Sequence, residues 1–347
     1  MRRLVMVVLL LIFLAFPVHA MDFAPPEAPD EIAELIPESA DSFGEGLWNV
    51  VVWALRQADT SLDEAISVCV SAIAVILIAA LLAEVSPSSS STSIRLCASI
   101  SLAGILLSPS SALISLAVGT ITELSEYGKL LLPVMTGALA ARGGVTSSAS
   151  LYAATAMFNA FLSSLMTRLA TPLLYLFLAL SIGAATVSTP VISKLRDLIH
   201  WGMTWVMKIT LYLFTGYITV TGVITGNVDA ASVRAAKIAI SGAVPIVGGI
   251  LSDASEAVLV AAGTLGSAAG VYGMITVLAM FAGPFVRIGI QYLLLSATAA
   301  IGQSIDASST SGLVSSFTAA LGVLLAMIST QTVLLLISAL CFMKGVS

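Results

Sequence analysis

Between Lys129 and Arg142 lie twelve uncharged residues, LLLPVMTGALAA, followed at once by Gly143-Gly144. Crossing the hydrocarbon of a bilayer takes about 20 helical residues, so a run this short must thin the membrane, stand nearly upright or re-enter. Pro133 removes an intrahelical hydrogen bond, and Gly143-Gly144 permits sharply turned backbone. At membrane depth such a break is tolerated only where protein or a cavity covers it. The segment reads either as a proline-containing helix end with a glycine turn, or as a shaped piece lining a packed interior or pore.

The constraint matters because the rest of the chain is built for a membrane. Hydrophobic residues make up 58% of it and charged residues 10%, against roughly half and a quarter in soluble domains. The expected fold class is all-α, a polytopic helical membrane protein. Seven to nine spans are expected, with one or two short segments broken by Pro and Gly.

Three regions follow. Residues 1–20 carry Arg2-Arg3, a short apolar run and Pro17-Val18-His19-Ala20, the pattern of a signal peptide cut after Ala20. Residues 21–64 form an extracytoplasmic arm with eleven acids and one base. Within it Phe43, Leu47, Val50, Val51, Ala54 and Leu55 recur at helical spacing, which predicts an interfacial helix or a short packed one. Residues 65–347 form the membrane domain.

Charges mark the expected ends of its spans. The run 65–83 lies between Asp63-Glu64 and Glu84; 96–122 contains a break at Ser108-Pro109-Ser110-Ser111; 145–167 and 169–193 meet as a hairpin at Arg168. The stretch 194–208, with four bases, one acid and two tryptophans, is expected as a cytoplasmic loop. Next come the span 209–228 and a mixed segment, 229–256. There Arg234 and Lys237 precede Pro245, Gly248-Gly249 and Asp253, repeating the proline-then-diglycine break. Runs 257–286, 288–305 and 313–343 complete the domain, separated by Arg287 and Asp306. If the central segment crosses, nine spans result; if it re-enters, eight remain and everything downstream inverts.

Chemistry of the catalytic kind is not visible. After residues 1–20 are set aside, His200 is the one histidine left, and Cys69, Cys97 and Cys341 all lie in apolar runs as small hydrophobes. No metal cluster, nucleophile and base set or cofactor motif can be assembled, so no enzyme activity, cofactor or nucleic-acid partner is expected. No carboxylate falls in mid-span, where ion-coupled carriers usually keep one. Gly222 with Gly226 and Gly266 with Gly270 form GxxxG pairs, compatible with close helix contacts or a homo-oligomer.

Three blocks carry a resemblance. They are Leu131-Leu-Pro-Val-Met135 running into Gly143-Gly-Val-Thr-Ser147; Val233-Arg-Ala-Ala-Lys237 running into Val244-Pro-Ile-Val-Gly248 and Leu251-Ser-Asp-Ala254; and Arg287 leading to Tyr292 and Gln303-Ser-Ile-Asp306. In this order and spacing the chain resembles the stage III sporulation protein AE family, from about Ser61 onward. Where the family's last block has Gln-Pro, this chain has Gln303-Ser304. The resemblance implies a polytopic subunit of a channel complex joining mother cell and forespore. It would sit in the mother-cell membrane with an ATPase and a ring-forming protein among its partners. Candidate structural or pathway positions are Pro133, Gly143, Gly144, Arg234, Lys237, Pro245, Gly248, Asp253, Gln303 and Asp306. A secondary transporter for a small solute is the competing expectation, resting on the span count and the two broken segments.

Overall fold

The computed structural model describes residues 26–36, 43–85, 91–141, 145–187, 190–220, 268–305 and 308–344. The signal-peptide reading, the first residues of the arm and the mixed segment 229–256 lie outside them. The described residues are helical, with no strand among them. After a single turn, α1 (Asp30–Ala33), come α2 (Phe43–Val85), α3 (Ser91–Ala141) and α4 (Val145–Leu165). A π-helical turn (Met166–Ala170) joins α4 to α5 (Thr171–Val187), and α6 (Pro190–Val220), α7 (Ala268–Ser304) and α8 (Ser308–Lys344) follow. Five helical stretches among the described residues are long and apolar enough to cross a membrane: 44–85, 92–140, 151–187, 270–304 and 310–342.

These helices run through most of the breaks that the charges and prolines predicted. The reason is angular. In α2 the buried residues Val50, Ala54, Ser61, Ala65, Cys69, Ala72 and Ile76 form one stripe at helical spacing, while Asp63 and Glu64 point away from it. The expected interfacial helix and first span are therefore one helix. In α3 the stripe Leu106, Leu113, Ala117, Leu124, Leu131, Met135 and Leu139 passes both Pro109 and Pro133 without changing face. Packing of that stripe holds the helix across the two missing N–H groups, so the central segment is the end of a 51-residue helix, not an independent short span.

The hairpin expected at Arg168 is absent. Pro172 has no N–H to offer the Arg168 carbonyl, and the local ring widens instead. Thr171 meets the Met166 carbonyl twice, through its backbone N–H and through Oγ1 at 2.9 Å. One 37-residue stretch, 151–187, thus continues past an exposed Arg168. The basic and aromatic stretch 194–208 is likewise not a loop but part of α6, and Arg287 lies inside α7 beside Pro284.

Side-chain contacts set the register. Trp53 packs at Gly283 and Ile76 at Gly302, so α2 and α7 run parallel; Tyr292 packs at Gly322 and Gly302 meets Ser311, so α7 and α8 form an antiparallel hairpin. Leu131 fills the space over Gly273, and Leu335 that over Gly128, which ties α3 to both. The helix at the centre is α8, most of whose apolar stretch is buried, whereas most of that of α2 is not. With 37 residues it is about 55 Å long, well beyond the roughly 30 Å of hydrocarbon.

Candidate functional site

The centre of this apolar bundle holds amide side chains. Asn159 of α4 and Gln331 of α8 are both buried, and Gln331 Nε2 donates to Asn159 Oδ1. Asn159 Nδ2 in turn donates to the Ser125 carbonyl of α3 at 3.1 Å. One chain of hydrogen bonds therefore links three helices that are 34 and 172 residues apart in sequence.

Gly128 makes the approach possible. A Cβ there would stand 2.7 Å from Leu335 Cδ2 and 3.0 Å from Asn159 Nδ2, so the bare backbone lets α3, α4 and α8 close around the pair without displacing either side chain. On α8 the amide sits in the sequence Ser329-Thr330-Gln331-Thr332, all buried. Thr330 and Thr332 return their hydroxyls to the carbonyls of Ala326 and Ile328 at 2.7 and 2.9 Å, which satisfies them within the helix. Gln331 Oε1 and Ser329 Oγ are buried without a hydrogen-bond partner among the described residues. The Tyr127 hydroxyl is likewise buried without a hydrogen-bond partner among the described residues.

Chemically the pair is neutral over the whole physiological pH range. It can orient, donate and accept, but it can neither carry a proton as a carboxylate does nor attack as a nucleophile. Its energetic meaning comes from its surroundings: an amide left unpaired in such an interior costs on the order of 1–3 kcal/mol.

A second polar feature lies outside this core. Arg287 Nη2 donates to Glu64 Oε2 at 3.0 Å, pairing α7 with α2 on an exposed face.

Of the positions singled out from the sequence, two are described. Pro133 lies on an exposed face of α3, between buried Leu132 and Met135. Gln303 lies near the end of α7 and donates to Ser315 Oγ at 3.2 Å. They do not meet. Leu131, close to Pro133, packs at Gly273, and thirty residues of helix, about 45 Å, separate Gly273 from Gln303. Gly143, Gly144, Arg234, Lys237, Pro245, Gly248, Asp253 and Asp306 lie outside the described residues. Asn159 and Gln331 are not among the positions singled out, because neither is charged nor part of a motif in the sequence. The available signal was an Asn and a Gln each in the middle of a long uncharged run.

The sequence model of one family, stage III sporulation protein AE, matches residues 37–345. The chain belongs to the stage III sporulation protein AE family. It is 23% identical over 175 residues to Stage III sporulation protein AE of Bacillus subtilis (strain 168), an alignment covering 50% of this chain and 44% of that protein. The chain thus spans less than half the length of that curated relative. No solved structure matches. For a member of this sporulation family, the three blocks that carried the resemblance fall within the matched residues. The Asn159 and Gln331 pair falls there too.

Proposed function

We propose that this chain is a membrane-embedded subunit of a transenvelope channel, a secretion-like apparatus that joins mother cell and forespore and is required for forespore development after engulfment. Membership of the sporulation family over residues 37–345 carries this reading. It is supported by a bundle whose long apolar helices enclose neutral amides. In this reading the chain acts in the mother-cell membrane with its N-terminal arm on the extracytoplasmic side. It works beside other membrane subunits, an ATPase and a ring-forming protein among them, and catalyses nothing itself.

Deletion of the gene in its host tests the proposal. Sporulation should stop after engulfment, and heat-resistant spores should fall by orders of magnitude; a normal spore count overturns it. Orientation has its own test. In a background lacking Cys69, Cys97 and Cys341, a cysteine at Ser147 should react with impermeant thiol reagents only from the extracytoplasmic side, because the unbroken α3 returns to the side of the arm, and one at Asp306 only from the cytoplasmic side, because α7 runs parallel to α2. The second reading, a secondary carrier, draws on the same buried amides, since Asn and Gln can hydrogen-bond a polar solute. It requires saturable, solute-specific uptake by the purified protein in liposomes.

A further inference from the structure

Helix α6 presents two different faces. Its inner face buries Met203, Met207, Leu211 and Phe214, with the Phe214 ring 5.3 Å from that of Phe158. On the outer face Lys194, Trp201 and Lys208 follow one another at intervals of seven residues, and Leu198, Trp205 and Tyr212 form a second row beside them. Residues seven apart lie nearly one above the other on a helix, so the two rows make a single strip.

Charge and aromatic character on this strip point to one class of partner. Lys194 is exposed and Lys208 half-buried. The acid on this stretch, Asp197, is already held by Arg196 at 2.8 Å, and Arg196 also reaches Ser316 of α8 at 3.3 Å. Among the described residues neither Lys194 nor Lys208 has an acidic partner, so the strip carries two unpaired cations there. Between them Trp201 and Trp205 stack, ring centroids 5.7 Å apart, and both are more than half exposed, at 59% and 51%. Exposed indoles are costly in bulk water and favourable at the level of lipid headgroups, where an apolar ring and a polar N–H are both accommodated. Lysines on the same strip add attraction to negative headgroups.

We propose that the outer face of α6 binds anionic phospholipid, with Lys194 and Lys208 on the headgroups and the Trp201 and Trp205 stack against the adjoining acyl chains. A free phosphate ion would use the lysines but not the aromatic rows. A second copy of the chain would present the same two cations to its own image.

The full chain is reconstituted in nanodiscs of phosphatidylcholine containing either brominated phosphatidylglycerol or brominated phosphatidylcholine, and tryptophan quenching is followed against mole fraction. The wild type should be quenched at much lower mole fraction by the anionic lipid, and 0.5 M salt should remove the difference. Each lysine is expected to contribute about fivefold to that preference, so K194Q/K208Q should lose most of it while quenching by phosphatidylcholine is unchanged. In W201F/W205F the lipid-selective part of the quenching should disappear. Equal quenching of the wild type by both lipids, or an unchanged preference in K194Q/K208Q, overturns the proposal. The salt measurement needs no variant and decides the matter if the double substitution does not fold. A disulfide formed between two copies through Leu198→Cys in nanodiscs holding two chains would assign the face to a second copy and also overturn it.

Discussion

Arg287 Nη2 lies 3.0 Å from Glu64 Oε2 although the two residues are 223 positions apart in sequence. Each sits inside a continuous helix, α7 and α2, so charges that look like the ends of spans along the sequence are lateral contacts between parallel helices. Both side chains keep substantial exposure, which limits what the pair contributes.

The expected consequence is a measurable but small coupling. Glu64→Arg sets two cations side by side and should lower stability, Arg287→Glu should do the same with two acids, and the double exchange should restore most of the loss. In detergent, thermal unfolding should give a coupling of about 0.2–1 kcal/mol. Additive losses in the double variant would show that the pair contributes nothing.

The membrane class was legible because runs of uncharged residues need only be counted. The breaks were not legible in the same way, because counting along a chain has no angular coordinate. Arg168 is exposed while Met166 and Ala170 beside it are buried, and Arg287 is exposed next to fully buried Ile288. Each charge leaves the buried stripe intact, and the helix continues. The interruption Pro133 causes concerns one hydrogen bond on an exposed face, whereas packing acts on the other face. The polar centre was hidden for a different reason. Asn159 and Gln331 acquire meaning only through their pairing, and no local pattern announces a partner 172 residues away.

Contact between α2 and α7 depends on a bare backbone. A Cβ at Gly283 would come within 2.8 Å of Trp53 Cη2 and 3.1 Å of Cζ3, and a rigid indole cannot fold aside as a leucine end can. Gly283→Ala should therefore destabilise the fold by about 1–3 kcal/mol through overpacking. Trp53→Leu in the same chain should recover part of that loss. Thermal unfolding in detergent reads both, and a Gly283→Ala protein as stable as wild type would mean that the two helices part freely at this level.

His200 supplies a dependence on pH. Burial, with its ring centroid 5.5 Å from that of Phe177, holds its pKa below the ordinary 6.5; Asp197 raises it and Arg196 lowers it by smaller amounts. The unfolded chain therefore binds the proton more tightly than the folded one. Stability should be level above about pH 6.5 and decline as pH falls below it. His200→Phe should flatten that decline between pH 7.5 and 5 in thermal unfolding; an unchanged slope would place the titration elsewhere.

The last prediction concerns the amides themselves. Gln331→Leu removes the donor to Asn159 Oδ1, while Asn159→Leu removes both the acceptor for Gln331 and the donor to the Ser125 carbonyl. Each single change leaves a buried polar partner unpaired and should cost about 1–3 kcal/mol. The double change leaves no amide stranded, so its loss should be clearly smaller than the sum of the two. Stability alone does not separate a structural clamp from a working part of the pathway, and spore formation does. If the amides only hold α3, α4 and α8 together, the double variant, expressed at wild-type level in the membrane, should restore heat-resistant spores along with stability. If the polar centre is needed in its own right, stability should return and spores should not. We expect the second outcome, because Gln331 Oε1 remains buried without a partner among the described residues, as an acceptor reserved for something that enters the bundle would be. Normal spore counts from the double variant would reduce the pair to a clamp.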